Sequence, residues 1–490
     1  MVKNFCTHPP GEYPRRVTRK WDAVIVGSGP NGLSAAIRLA LAGRSVLVLE
    51  AKDTAGGGCR SAELTLPGFV HDVCSAVHPL AVASPALNGL PLAKYGVEFV
   101  HPEIPLAHPL DGGDAVAVHR ALARTAADLG ADGRAWCRLF GPLVHSFDDV
   151  VADTLGPLRI PRHPLATARF AANALRSASG LARARFSGER AQAVFAGLAA
   201  HAMLPLEARP AAAFGLTLGA SAHAAGWPFI GGGSQRLADA LAAYLRDLGG
   251  EIEVARPVSS LADIPSTKAI LFDITPRQMV AIAGDALPES YCRKLGRYRY
   301  GMGVFKMDFA LSQPIPWAAE ACRRAGTVHL GGTMAEIAAS ERDAASGRIS
   351  DRPYVLVSQP SLFDPGRAPA GKHTAWAYCH VPHGCPKDMS AGIVRQFERF
   401  APGFRDVILA THTRGPAEME AYNPNYIGGD INGGLQDWRQ LFTRPVARLD
   451  PYSTPNSRLF LCSSSTPPGG GVHGLCGYFA AKSALRGVLR

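Results

Sequence analysis

Trp21-Asp22-Ala23-Val24-Ile25-Val26-Gly27-Ser28-Gly29-Pro30-Asn31-Gly32 joins a short apolar run to a glycine-rich turn. The run 21–26 predicts a buried strand of a parallel sheet, because it is short, apolar and bounded by glycine. Residues 33–42 predict a helix that stops at Gly43, and 45–49 predict a second strand that ends at Glu50. This order of strand, Gly-x-Gly-x-x-Gly turn, helix, strand and acid indicates a Rossmann-like dinucleotide-binding unit.

Each glycine of the turn has a mechanical reason. Gly27 allows the tight turn, Gly29 leaves room for a pyrophosphate at the backbone, and Gly32 lets the helix pack closely on the strand. The free N–H groups and the dipole of the following helix then bind the anion. Glu50 lies 18 residues after Gly32 and can accept hydrogen bonds from a ribose diol.

Two features favour FAD over NAD as the bound nucleotide. A second glycine cluster, residues 55–61, follows the acid and suits a flavin nucleotide that extends past the first turn. A second strand–turn–helix unit of this kind is not visible, since Gly231-Gly232-Gly233-Ser234 lacks the spacing. We therefore expect the substrate, rather than NADPH, to reduce the flavin.

The far end of the chain contains another glycine-rich connection between a strand and a helix. Residues 458–462 predict a strand, 463–474 are rich in serine, proline and glycine, and 475–489 predict a final helix. Backbone N–H groups in such a turn can meet a flavin. The alternative is a loop that ends a surface strand.

These two ends, together with Trp227-Pro228-Phe229-Ile230-Gly231-Gly232-Gly233, resemble the phytoene desaturase-like FAD-dependent oxidoreductases. That group includes carotenoid desaturases, retinol saturases and the proteins named pyridine nucleotide-disulfide oxidoreductase domain 2. The resemblance covers nearly the whole chain in motif order. It implies an α/β fold, with a glutathione-reductase-type Rossmann-like FAD-binding domain and a discontinuous α+β substrate domain, as in the amine oxidases. It also implies that the Val258 backbone contacts the adenine.

The predicted cofactor-binding residues combine both turns with what the resemblance implies. They are Gly27, Gly29, Pro30, Asn31, Gly32, Glu50, Ala51, Gly57, Gly58, Arg60, Val258, Pro468, Gly470, Gly471 and Val472.

The domain organisation predicted from these motifs is discontinuous. The expected FAD-binding domain comprises 21–84, 227–285 and 445–490, and the expected substrate domain comprises 85–226 and 286–444. The first substrate segment is Ala-rich and predicts mainly helix. The second contains apolar runs such as 354–357 and 374–378, which predict strands. Residues 1–20 are rich in Lys, Arg and Pro and predict a flexible basic tail.

Composition excludes several classes of protein. Of 490 residues 47% are hydrophobic and 19% charged, which is ordinary globular usage and excludes a disordered or collagenous chain. The net charge of +11 favours anionic partners, but a zinc module or a basic stripe with aromatic residues is not visible, so we do not predict nucleic-acid binding. Ten cysteines without a Cys-x-x-Cys pair indicate reduced thiols and a cytoplasmic protein.

Two other patterns have competing interpretations. His380, His383 and Cys385 could form half of a metal site, but without a second ligand pair we expect a loop and no metal.

The sequence has no run of 18 apolar residues, so we do not predict a transmembrane helix. Arginines recur every seven residues across 162–190, which on a helix would favour peripheral contact with an anionic membrane. A solvated helix face is the alternative, and Gly180 and Gly188 weaken a continuous helix.

The expected function is an FAD-dependent oxidoreductase that desaturates or otherwise oxidises an apolar carotenoid-, lipid- or polyene-like substrate. Hydride passes to the flavin, and oxygen or a quinone accepts the electrons. Because the cofactor carries the chemistry, the sequence identifies no definite catalytic residue. His78 and His473 are weak candidates, while Tyr422, Asn423 and Asn425 could line the pocket.

Alternatives on the same fold are a saturase, an isomerase or an amine oxidase. A further alternative is a non-catalytic prenyl-binding escort protein. Such proteins typically have degraded nucleotide loops, whereas both glycine-rich turns are intact here.

Overall fold

The computed structural model describes residues 20–490, so the predicted basic tail lies outside the described residues except for Lys20. Within them the strands are β1 Trp21–Val26, β2 Val46–Leu49, β3 Ser61–Glu63, β4 Val70–Asp72, β5 Phe99–Val100, β6 Ile104–Pro109, β7 Ala115–Val118, β8 Phe229–Ile230, β9 Glu251–Glu253, β10 Thr267–Phe272, β11 Gly303–Leu311, β12 Ala325–Leu330, β13 Val355–Ser358, β14 His373–Val381, β15 Ile408–Arg414 and β16 Leu459–Leu461.

The α-helices of the same residues are α1 Pro30–Ala40, α2 Pro79–Val82, α3 Leu122–Asp128, α4 Gly133–His145, α5 Phe147–Thr154, α6 Pro164–Ala174, α7 Ala178–Arg185, α8 Glu189–Ala200, α9 Ala211–Ala224, α10 Gln235–Asp247, α11 Pro276–Ala283, α12 Glu289–Leu295, α13 Glu320–Arg323, α14 Met334–Ala345, α15 Ser390–Phe400, α16 Pro416–Tyr422, α17 Trp438–Leu441 and α18 Leu475–Arg486.

A five-stranded parallel sheet is built from strands that lie far apart in the chain. Its order is β16-β10-β1-β2-β9, and every neighbouring pair is parallel. The β1 residues Ala23, Val24 and Ile25 are fully buried, which explains why this strand is apolar on both faces. Helices α1, α10 and α18 share one apolar core with this sheet. The predicted strand–turn–helix–strand unit is therefore confirmed.

Helix α1 begins in unusually close contact with its surroundings. A Cβ atom at Gly32 would lie 2.2 Å from the carbonyl oxygen of Gly27, so the helix can approach the turn only without a side chain there. On the opposite side, a Cβ at Gly477 of α18 would lie 1.7 Å from the carbonyl oxygen of Asn31. The last helix of the chain thus packs directly against the first turn of α1.

A second, seven-stranded sheet contains strands from two separate parts of the chain. Its order is β15-β11-β14-β13-β12-β6-β7, with β12 and β6 parallel and the other pairs antiparallel. The predicted strands 354–357 and 374–378 correspond to β13 and β14. Helix α15 covers one face, where Phe397 stacks on Phe404 with ring centroids 4.1 Å apart.

Helices α3–α9 form a third layer between residues 122 and 224, as the composition predicts. Its core contains the ring of Trp136, which lies 4.4 Å from that of Phe140 and 5.6 Å from that of Phe186. Between residues 20 and 490 no helix is long and apolar enough to cross a bilayer.

The hypothesis of one basic helix over 162–190 is wrong, because that segment contains α6, α7 and the first two residues of α8. Helix α6 ends at Ala174, and the side chain of Ser177 accepts a hydrogen bond from Gly180 N at 3.2 Å to start α7. Leu181 and Phe186 are buried in the helical core and are therefore unavailable to a membrane. The capping serine redirects the chain, so the seven-residue spacing does not produce one continuous face.

The contact between α18 and α1 generates a prediction. Gly477→Ala should lower the free energy of unfolding by about 1–3 kcal/mol, because overpacking displaces the start of α1. The better helix propensity of alanine, about 1 kcal/mol, should not offset this loss. Thermal unfolding of the flavin-free protein measures the effect. Gly89→Ala is the matched control, since a Cβ there meets nothing within 4 Å and its Tm should stay close to that of the wild type. Equal Tm values for the two variants would contradict the described packing.

Candidate cofactor and substrate site

A cavity of ≈ 490 Å³ lies at the carboxyl ends of the parallel strands. The turn after β1, Glu50 after β2 and Asp273 after β10 all line it, as do Ser463–Ser465 after β16. This edge of a parallel sheet is where nucleotides bind in open α/β folds. Among the predicted cofactor residues, all except Gly32, Pro468 and Gly470 line this cavity.

The carboxylate of Glu50 is held in place by the turn that it faces. Its Oε2 accepts hydrogen bonds from the backbone N and the Oγ of Ser28, at 3.0 and 2.5 Å. Its Oε1 accepts from Lys52 N at 2.9 Å and from Arg60 Nη2 at 3.2 Å. A ribose diol at this position would compete with the Ser28 hydroxyl for Oε2, since a hydroxyl can rotate and a backbone N–H cannot.

Asp273 is a site residue that the sequence analysis missed. Its Oδ2 accepts a hydrogen bond from Gly32 N at 2.9 Å, which satisfies one N–H in the first turn of α1. A Cβ at Gly29 would lie 2.7 Å from this oxygen, so Gly29 is required by the protein itself as well as by any ligand. The available signal was an acid placed directly after the apolar run 267–272, at the end of a predicted strand.

Burial raises the pKa of Asp273 well above its usual range, and the nearby charge of Glu50 raises it further, while the Gly32 N–H opposes the change. The neutral form of the acid is therefore favoured at this edge of the sheet. A neutral acid beside a helix N-terminus leaves the positive end of the helix dipole free for an anionic ligand.

The second glycine cluster packs on the first turn. A Cβ at Gly57 would lie 2.9 Å from the Cα of Gly29, and one at Gly58 would lie 2.4 Å from the hydroxyl of Tyr426. Arg60 ties the cluster together, because Nη2 donates to Thr54 O at 2.7 Å as well as to Glu50. These glycines form the floor of the cavity, and side chains at their positions would occupy the space of the cavity.

A second cavity of ≈ 710 Å³ adjoins the first and is mainly apolar. Five residues line both cavities and mark their junction: Val77, His201, Asn432, Gly471 and Val472. Leu80, Phe214, Leu218 and Trp227 are among the apolar residues in its wall. His201 and Asn432 were missed by the sequence analysis, and no local motif marks either of them.

The two sequence-predicted catalytic candidates have hydrogen-bond partners in the protein. His473 interacts through Nε2 with Gly469 O at 3.2 Å, and its Nδ1 accepts from Leu475 N at 3.0 Å. His78 pairs through Nε2 with Ser234 Oγ at 2.9 Å. Both line the second cavity and not the first. Burial lowers the pKa of each to about 4, so both imidazoles are neutral at ordinary pH.

The remaining sequence candidates fall into two groups. Tyr422, Asn423 and Asn425 line the first cavity. The residues considered for metal binding do not converge, because His380 Nδ1 pairs with Glu341 at 2.8 Å and His383 Nδ1 donates to Gly301 O at 2.9 Å. Across residues 20–490, no group of three His, Cys, Asp or Glu side chains is placed to hold a metal ion.

Unpaired polar atoms test whether FAD fits this site. Asn31 Oδ1 and Asn432 Nδ2 are buried beside the first cavity and have no hydrogen-bond partner among residues 20–490. Buried polar atoms are normally paired, so these two indicate a polar ligand in this cavity. With the acid at β2, the glycine floor and the N-terminus of α1, the residues present fit a flavin dinucleotide.

Comparisons with known proteins agree with this geometry. The NAD(P)-binding Rossmann-like domain family matches residues 25–90. A pyridine nucleotide-disulfide oxidoreductase domain-containing protein 2 from Mus musculus is 24% identical over 96% of this chain and 94% of its own. A phytoene dehydrogenase from Streptomyces griseus is 29% identical over 79% of this chain and 77% of its own.

Solved structures extend the likeness to the fold. An oxidoreductase from Methanosarcina mazei has a TM-score of 0.65 at 17% identity, covering 96% of this chain and all of that one. Cyclohexylamine oxidase from Brevibacterium oxydans has a TM-score of 0.58 at 15% identity, with 96% and 100% covered. The predicted resemblance and the Rossmann-like α/β fold class, with amine oxidase-like neighbours, are confirmed.

The raised pKa of Asp273 predicts how FAD affinity depends on pH. Because the pKa of Asp273 is raised, the acid is neutral at low pH and favours the binding of FAD there. This contribution to the affinity is lost as pH rises through that pKa. Wild-type affinity for FAD should therefore be lower at the upper end of the tested pH range, above the raised pKa of Asp273, than at its lower end, because a carboxylate then faces the pyrophosphate. Asp273→Asn keeps an acceptor for Gly32 N–H without the charge and should bind FAD about tenfold more tightly than wild type at the upper pH.

Fluorescence titration with FAD at several pH values measures this difference. Asp22→Asn is the control, since Asp22 lies at the opposite end of β1 and pairs with Lys268. A pH dependence that persists unchanged in Asp273→Asn would assign the titration to another group.

Proposed function

We propose that this FAD-dependent oxidoreductase, a relative of the phytoene desaturases, oxidises a carbon–carbon bond of an elongated apolar substrate of the polyene or lipid class. The observation that carries the proposal is the apolar cavity of ≈ 710 Å³ that meets the nucleotide cavity at Val77, His201, Asn432, Gly471 and Val472. Its volume is within the usual range for a small-molecule site. FAD, when bound, supplies the acceptor for a hydride.

The protein's own contribution is to position the substrate and exclude water. Phe214, Leu218 and Trp227 can hold a hydrocarbon chain by contact alone, without charge. The N–H groups around Gly471 and Val472 lie at the junction, where they can stabilise negative charge on a bound ring.

The second cavity offers an amine no free carboxylate among the described residues. An ammonium substrate that is not held by aromatic rings would need one, and Asp153 is the one acid among the described residues that line this cavity. Its oxygens accept hydrogen bonds from Arg162 N, His163 N and Thr167 Oγ1, and it pairs with Arg159. A saturase or isomerase would suit the same apolar wall and is the second candidate. All-trans-retinol 13,14-reductase from Danio rerio is 50% identical over 58 residues, which are 12% of this chain and 9% of its own.

The domain assignment forms part of the proposal. Segments 21–84, 227–285 and 445–490 contain all five strands of the parallel sheet, which supports their assignment as the FAD-binding domain. Segments 85–226 and 286–444 contain all seven strands of the second sheet and the helices α3–α9, which supports a substrate domain. The residues that line both cavities come from both sets of segments.

The surroundings of the second cavity support peripheral contact with a membrane. Leu158, Ile160 and Leu165 are 71%, 91% and 75% exposed, and Leu158 lines the cavity. Arg162 and Arg169 are exposed in the same region. Exposed apolar side chains with neighbouring cations suit an anionic lipid surface, from which an apolar substrate could enter directly.

Oxygen or a quinone is the proposed electron acceptor, because residues 20–490 contain no second all-parallel sheet of more than two strands for a separate NAD(P)H unit. The Gly-x-Gly-x-x-Gly spacing of Gly469–Gly474 follows β16, which belongs to the same parallel sheet as β1. The nine cysteines of those residues are free thiols, which supports the proposal of a cytoplasmic protein.

Anaerobic reduction of the flavin tests the proposed reaction. The purified protein should be yellow, and its flavin absorbance should bleach with phytoene or another polyene, but not with a primary amine such as cyclohexylamine. NADPH alone should bleach it at least about 100-fold more slowly than the polyene, a difference of about 2.7 kcal/mol in barrier. Rapid bleaching by NADPH would favour the saturase, and bleaching by the amine alone would overturn the substrate class.

The lipid contact is tested separately. Leu158→Asp/Ile160→Asp should weaken binding to phosphatidylserine-containing vesicles by about tenfold or more, because each apolar side chain contributes about 1.5–3 kcal/mol when buried. Cosedimentation measures the bound fraction. Leu409→Asp is the matched control, since Leu409 is 47% exposed on β15 and lines neither cavity. Equal binding by both variants would place any lipid contact elsewhere.

A further inference from the structure

His201 occupies the junction between the nucleotide cavity and the apolar cavity. It follows the last residue of α8 and lies with its ring edge toward Trp227, the two centroids 5.8 Å apart. Among the five described residues that line both cavities, it is the only one with an ionisable side chain. Asn432, the other polar side chain there, cannot accept a proton at ordinary pH.

The ring of His201 is held through one nitrogen. Its Nε2 lies 3.1 Å from Nε2 of His329 on β12, whereas its Nδ1 has no hydrogen-bond partner among residues 20–490. Tautomers in proteins follow from the partners of each ring nitrogen. The pairing with His329 therefore decides whether the free Nδ1 is a donor or an acceptor.

A third histidine, His108, lies beside this pair and favours one of the two tautomers of His329. His108 Nε2 donates to Gly332 O at 2.7 Å, which leaves His108 Nδ1 without a proton. Nδ1 of His108 and Nδ1 of His329 are both buried and unpaired, and a Cβ at Gly197 would lie 3.1 and 2.8 Å from them. If His329 carries its proton on Nδ1, a donor and an acceptor face the same gap. His329 Nε2 then accepts from His201 Nε2–H, and His201 Nδ1 is a bare acceptor.

We propose that His201 is the catalytic base of the oxidation proposed above, and that His329 and His108 position it with Nδ1 toward the substrate. In the reaction, two adjacent C–H bonds of the substrate break and a C=C bond forms. One hydrogen leaves as a hydride to FAD, and the other leaves as a proton to His201 Nδ1. The substrate is oxidised by two electrons, and FAD is reduced by the same two.

The surroundings of His201 keep its imidazole neutral, so one ring nitrogen has a free lone pair. The ionisable groups around it are His329, His380 on β14 and the Glu341 that pairs with His380. Burial lowers the pKa of His201 to about 3, and the proximity of His380 lowers it further in the same direction. A pKa so far below the operating pH makes His201 a weak base, and for the same reason a proton taken from the substrate is readily passed on.

The other histidines near the cavities lack this combination. Both nitrogens of His473 are engaged by the backbone around the start of α18. His78 lines only the apolar cavity and pairs with Ser234. Neither of them reaches the junction, where a reacting carbon must lie close to both the flavin and a base.

Anaerobic reduction by phytoene in detergent micelles tests the role of His201. His201→Phe keeps a ring without nitrogen and should reduce the rate of flavin bleaching by about 10²–10⁴-fold, with unchanged FAD content. His201→Ala should recover part of the rate when imidazole is added, which a structural role would not allow. His223→Gln is the control: His223 is buried but lines neither cavity, and its rate should stay within about threefold of wild type.

A measurement on the flavin-free protein is independent of any substrate. Two-dimensional NMR of ¹⁵N-histidine-labelled protein should show His201 neutral at pH 7 with its proton on Nε2, and His329→Phe should change that tautomer distribution. A proton on Nδ1 of His201, or a charged ring, would overturn the proposal. If wild type is not bleached by phytoene or another polyene, the proposed function fails. If wild type is bleached and His201→Phe matches it, His201 is not the base.

Discussion

The close contact of three backbones at the first turn of α1 is the constraint on which the rest of the molecule depends. Gly32 lies against the carbonyl of Gly27, and Gly477 lies against the carbonyl of Asn31. Asp273 closes the third side by accepting from Gly32 N–H. Because the two glycines touch these carbonyls without an intervening side chain, the N-terminus of α1 lies close to its neighbours and faces the cavity, where an anion can use its N–H groups.

This arrangement divides the interior into two regions of different chemistry. The nucleotide cavity has Glu50 and unpaired side-chain amides around it, whereas the adjoining cavity is mainly apolar and has Phe214, Leu218 and Trp227 in its wall. A polar cofactor and an apolar substrate can therefore be bound side by side without sharing ligands. The junction holds His201, and burial keeps this group uncharged, so the apolar cavity does not face an unpaired ion at this point.

Most of the nucleotide site could be predicted from short stretches of sequence. The turn 27–32, the acid at position 50 and the glycine cluster after it all depend on backbone geometry within a short stretch, and glycine spacing reports such geometry directly. The same reasoning failed for 162–190, where a seven-residue repeat suggested one helix. There Ser177 caps a new helix, and packing of Leu181 and Phe186 into the core overrides the repeat.

By itself, the sequence determined the strand–turn–helix–acid unit, the second glycine-rich turn at the far end, and with them the fold class and the cofactor. Only the tertiary structure places Asp273 beside the first turn of α1 and Nε2 of His201 beside Nε2 of His329. It also brings the two cavities together at Asn432. The physical reason is the distance along the chain between the residues that interact. A turn is set by the dihedral preferences of neighbouring residues, whereas a meeting of side chains distant in the chain follows from how whole sheets and helices pack, which no local spacing records.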